Sequence, residues 1–125
     1  EKNTTHPLLS IGFRPLFLLG SIWGALSMLY WVAVQSGAIT HSPAFPSVYW
    51  HAHEMIYGFA MAFIVGFLLT ASANWSGQPA LKGQTLGLLT LVWLLGRITP
   101  FIFPASPVLT SIIDLSFIPL ASFCL

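Results

Sequence analysis

Residues 49–73 read YWHAHEMIYGFAMAFIVGFLLTASA, and no charged side chain follows Glu54 until Lys82. The run is continuous and lacks the two-residue alternation of a half-buried strand. Its length suits the roughly 20 residues that carry a helix across a hydrocarbon core of ~30 Å. Working outward, residues 16–34, 86–103 and 108–125 form three more runs of the same character. In lipid every backbone N–H and C=O must be satisfied internally, and a helix does this within one segment. The expected fold is therefore all-α: a polytopic transmembrane helix bundle with about four helices in this chain, forming a single transmembrane domain.

The composition demands the same solvent. Of the 125 residues, 56% are hydrophobic and 6% are charged, against about 25% charged in soluble domains. So few charges cannot cover the surface of a soluble fold this size. The net charge of +1 and the absence of a basic run exclude a nucleic-acid partner. Cys124 stands alone, which excludes a disulfide within the chain and a metal site built only of cysteine. The lipid bilayer is the expected partner.

The breaks between runs carry turn chemistry: Gly37, Pro43 and Pro46, then Gly77, Pro79 and Gly83, then Pro104 and Pro107. Lys2 and Arg14 precede the first run and Lys82 lies between the second and third, whereas the loops at 35–48 and 104–107 hold no Lys or Arg. The positive-inside rule therefore puts the N-terminus and the 74–85 loop in the cytoplasm. The first run exceeds a signal-peptide core of roughly 7–15 residues and reads as an uncleaved span. No polar flank follows the fourth run, so the chain reads as a fragment of a longer protein. Tyr30, Trp31, Tyr49 and Trp50 fall at the outer boundary, as an aromatic belt would. Gly20 and Gly24, and then Gly58, Ala62 and Gly66, recur at four-residue steps that let helix backbones approach closely.

The chemistry concentrates in Trp50-His51-Ala52-His53-Glu54-Met55. Two imidazoles and a carboxylate at the mouth of a membrane helix are expensive unless they face protein or a watery cavity, and imidazole ligates haem iron, copper and zinc. On a regular helix His51 and His53 diverge by about 200°. His51 shares a face with Glu54, Met55 and Gly58, while His53 points toward Tyr57. Either the helix begins irregularly after Pro46 or the two histidines serve different centres. Met55 is the one methionine with a histidine neighbour suited to a soft metal. Arg97 and Asp114 lie in adjacent antiparallel runs, each about 9 Å below the outer boundary at 1.5 Å per residue. They are expected to pair, either to fix helix register or to anchor an anionic group or line a proton path. All five ionisable groups then share the outer half of the membrane. No residue is assigned a catalytic role.

Several stretches together resemble the NnrS family: Pro7-Leu8-Leu9 with Gly12-Phe13-Arg14-Pro15, then Trp50-His51-Ala52-His53-Glu54-Met55 with Gly58-Phe59. Gly66-Phe67-Leu68-Leu69-Thr70-Ala71 with Asn74-Trp75 and Gly77, and Trp93-Leu94-Leu95-Gly96-Arg97, continue the likeness. The resemblance implies a bacterial inner-membrane protein of about twelve helices, of which this chain is the N-terminal third. It also implies bound haem and copper and a link to nitric oxide metabolism and nitrosative stress, with the remaining helices completing the site. Carried over by motif, His51 and His53 become the metal candidates, and His51, His53, Glu54, Met55 and Arg97 the cofactor-binding candidates. Two other classes of function fit the residues: a transporter or proton-coupled permease using Glu54, Arg97 and Asp114, and an assembly protein whose charges only set helix contacts.

Overall fold

The computed structural model describes residues 6–125, and Lys2, which counts toward the expected orientation, lies outside them. A short 3₁₀ turn, Pro7–Leu9, leads into α1 (Phe13–Gln35). Three further helices follow: α2 (Ser47–Ser76), α3 (Gly83–Ile102) and α4 (Pro107–Cys124). The four are long and apolar enough to cross a membrane, and no strand occurs among the described residues. The protein is an all-helical membrane protein.

Each helix begins before the apolar run that announces it. Pro15 sits in the first turn of α1, where its missing N–H has no intrahelical acceptor to lose. The polar residues Gly83, Gln84 and Thr85 form the first turn of α3. Ser76 extends α2 until Gly77, whose left-handed φ of 69° lets its N–H close on Ala73. Pro107 opens α4 at the position where proline is favoured.

Helices α1 and α2 run antiparallel in tight register. A Cβ added at Gly20 would lie 2.9 Å from the Ala62 Cβ, and one at Gly66 would lie 3.3 Å from the Leu16 Cβ. The four-residue stripes are thus the surfaces along which these helices meet. Leu9 approaches Gly87 at one end of the bundle. At the other, the Ala44 N–H donates to the Pro100 carbonyl at 3.2 Å. The N-terminal turn and the start of α3 therefore share one end, and the 35–48 loop shares the other with the end of α3. Leu16, Ala62, Val65, Leu69, Leu86, Leu89, Trp93, Phe117 and Ala121 form the core. Leu29, Ile64, Leu88, Ile112 and Phe123 remain exposed along the outside, as a lipid-facing surface requires.

One segment departs from α geometry. From Glu54 to Ala60 the turns widen to a π-helix, and the Met61 N–H reaches back five residues to the Ile56 carbonyl. The carbonyl of Gly58 accepts the indole N–H of Trp93 at 3.1 Å, so α3 is tied to α2 within this stretch. π turns of this kind recur at functional sites.

Candidate functional site

The wide turn begins at a fully buried charge, Glu54. Its Oε2 accepts the indole N–H of Trp23 at 2.8 Å and lies 3.1 Å from Arg97 Nε. Its Oε1 is 3.2 Å from His53 Nδ1. His53 Nε2 is 2.7 Å from Asp114 Oδ2. Arg97, also fully buried, donates from Nη2 to Asp114 Oδ1, and its guanidinium lies 5.8 Å from the Trp93 ring centre. The contacts close into a ring: Glu54, His53, Asp114, Arg97 and back to Glu54. Helices α2, α3 and α4 supply it, and Trp23 fastens it to α1.

Small residues make the ring possible. A Cβ at Gly96 would sit 2.8 Å from Asp114 Oδ1 and 3.1 Å from the Asp114 Cα, so α4 can approach α3 only over a glycine. A Cβ at Gly58 would lie 2.9 Å from Glu54 Oε2 and 3.0 Å from the Trp23 ring. With His53 as imidazolium, two cations face two carboxylates and the ring is neutral. Such a closed set is the arrangement in which buried charges are tolerated. Beside it lies a cavity of about 350 Å³, bordered by His53, Glu54 and Asp114 and by Tyr49, Tyr57 and Ser111.

The residues singled out from the sequence divide into two places. His53, Glu54, Arg97 and Asp114 come together. His51 does not join them: it stacks on Trp31 of α1, rings 4.3 Å apart and 20° from parallel. The helical-face argument groups His51 with Glu54, whereas the structure groups His53 with it. Residues 47–53 form a regular α turn, so the two imidazoles do diverge. Consecutive side chains can nevertheless converge on a partner between them, and Asp114 draws His53 inward. His53 also stacks on Tyr57, at 4.8 Å. Met55 is half-buried. Of the four boundary aromatics, Tyr49 is exposed, but Trp50 is buried against Tyr30 and Phe101. Trp23 and Trp93, the donors to Glu54 and to the Gly58 carbonyl, are not among the expected site residues, although Trp93 stands in one of the stretches that resemble the family. The only hint of Trp23's role was its place beside the Gly20 and Gly24 stripe.

These features define a class: a multi-pass α-helical membrane protein with a buried ionic ring and an adjoining cavity. The family model described as NnrS protein matches residues 7–125, so the chain belongs to the NnrS family. No curated protein and no solved structure gives a significant match.

Haem and copper, implied by the resemblance, can be tested against the donors present. His53 has a carboxylate oxygen at each ring nitrogen, which leaves no lone pair for a metal. Among the described residues no three His, Cys, Asp or Glu side chains are grouped to hold a metal ion. His51 fits better. Its Nδ1 is buried without a hydrogen-bond partner, and its ring plane is held by Trp31. Among the described residues the Nδ1 of His51 is thus an imidazole nitrogen left without a hydrogen-bond partner, and no complete metal centre is assembled.

Proposed function

We propose that this chain belongs to a haem- or copper-containing protein of the bacterial inner membrane that acts in nitric oxide metabolism or nitrosative-stress resistance, with its N-terminus in the cytoplasm. The observation that carries the reading is the orphaned, buried Nδ1 of His51. A buried polar atom without a partner is costly, and a metal bond would offset that cost. His51 would supply the ligand and Trp31 would hold its ring. The ring of His53, Glu54, Arg97 and Asp114 would fix the helices around it and present protonatable groups to the cavity. A bound haem or copper would supply affinity for a small diatomic such as nitric oxide. Arg14 and Lys82 stand at the end shared by the N-terminal turn and the 74–85 loop, which supports the orientation.

Absorption spectra and elemental analysis of the purified full-length protein test this reading. His51→Ala should lose most of the metal or the Soret band, while His53→Ala should keep it. A colourless, metal-free wild type, or an unchanged His51→Ala protein, would refute it. The cavity of about 350 Å³ against the ionic ring favours a second reading, a proton-coupled permease. Uptake into vesicles that is abolished in Glu54→Gln, with metal content unaffected, would favour it.

A further inference from the structure

Helix α2 carries one residue more than α geometry needs between its outer and inner parts. An α turn stacks residue i on i+4, and a π turn stacks i on i+5. The wider spacing runs from Glu54 to Ala60, where the Met61 N–H meets the Ile56 carbonyl. Further in, Ala62 and Gly66 are locked against Gly20 and Leu16. Further out, Trp50 is packed on Tyr30 and Phe101. The wide turn between them is held from other helices, by Trp93 on the Gly58 carbonyl at 3.1 Å and by Trp23 on Glu54 Oε2 at 2.8 Å. Ile56, within the turn, is 56% exposed and faces lipid.

We infer that the wide turn is a one-residue ratchet that moves the Glu54 carboxylate between Arg97 and the cavity beside the ring. A π turn is an α-helix with one residue inserted, and when it passes along a helix each residue it crosses shifts by one place. Passed outward beyond His53, it leaves α geometry between Glu54 and Gly58. Counted back from Gly58, Glu54 then takes the place His53 holds now, and Met55 takes that of Glu54. The place of His53 is 31% exposed beside the cavity, whereas the side chain of Glu54, also at the cavity wall, is 0% exposed. Glu54 thus exchanges Arg97 and Trp23 for the cavity, and the unbranched Met55 fills the space it leaves. The ionic ring favours the alignment seen, because in the other Glu54 meets Asp114 as a like charge. Helix register shifts of this kind run on the microsecond to millisecond scale. The ratchet needs no metal at His51 and would be the moving part of the permease reading.

Carbodiimide coupling of glycine methyl ester to Glu54, read by peptide mass spectrometry on the full-length protein in lipid nanodiscs, reports how often the carboxylate meets the cavity. Asp114, at the same cavity, is the internal reference. Deleting Ile56 removes the inserted residue, so α2 becomes regular, the ring stays and the slip has nothing to run on. This variant should unfold at the same temperature as the wild type, while Glu54 labelling falls about tenfold or more against Asp114. Deleting Ile64, 51% exposed but in regular α geometry, turns the outer part of α2 by about 100° and should destroy the fold. Trp93→Phe frees the Gly58 carbonyl and should raise Glu54 labelling roughly threefold or more. Equal Glu54 labelling with and without Ile56, an unlabelled Glu54 in a wild type whose Asp114 reacts, or a fold lost on deleting Ile56 would overturn the inference. Metal content should be the same with and without Ile56, and His51→Ala should leave Glu54 labelling unchanged, so a failure of the ratchet and a failure of the metal reading can be told apart.

Discussion

Breaking the ionic ring from one side should cost far more than removing facing members together. Glu54 and Arg97 are both 0% exposed, so solvent screening does not dilute their interaction. In Glu54→Gln the indole of Trp23 keeps an acceptor at Glu54's position, but Arg97 is left with Asp114 alone. In Arg97→Met the two carboxylates face each other with only His53 between them. Each change strands a buried charge, and the expected loss of stability is about 3–5 kcal/mol. The double variant removes one charge of each sign and should recover part of that loss, giving a coupling of at least about 2 kcal/mol. The comparison is decisive because neutral interhelical hydrogen bonds in membranes couple by only about 0.6 kcal/mol on average. Reversible unfolding in mixed micelles of dodecylmaltoside and sodium dodecyl sulfate, followed by tryptophan fluorescence, gives all four free energies. Single losses under about 1 kcal/mol, or additivity within about 0.5 kcal/mol, would show that the four groups do not act as a unit.

Other perturbations separate packing from charge. Gly96→Ala should destabilise by roughly 1–3 kcal/mol in the same unfolding assay, because the new methyl displaces α4 at Asp114. Trp93→Phe should cost about 1 kcal/mol and speed amide exchange over residues 54–60, since the Gly58 carbonyl loses its donor. Leu29→Ala, at a 68% exposed position on the lipid side, should stay within about 0.5 kcal/mol of the wild type.

The spans were legible because hydropathy reports the solvent, and lipid leaves long uncharged runs. The helix ends were less so: Phe13, Arg14 and Pro15, or Gly83, Gln84 and Thr85, are too polar or too irregular to extend an apolar run, yet each forms a first turn. Arg97 and Asp114 could be matched in depth because a tight proline turn between two antiparallel helices fixes how far each residue lies from it. The partner of Glu54 could not be read the same way. A helical wheel places Cα directions, but His53 reaches the ring because a carboxylate arrives from α4, 61 residues further along the chain. The π turn at Glu54–Ala60 has no sequence signal of its own. It is held by tertiary contacts, Trp93 on the Gly58 carbonyl and Trp23 on Glu54, which come from two other helices.

An experimental structure of the full-length protein in a nanodisc, at a resolution that shows side chains, bears most directly on the ionic ring. The guanidinium of Arg97 should lie between the carboxylates of Glu54 and Asp114, with the imidazole of His53 bridging them on the other side. A guanidinium turned to lipid, or carboxylates held by other helices with Arg97 elsewhere, would contradict the site described for this chain.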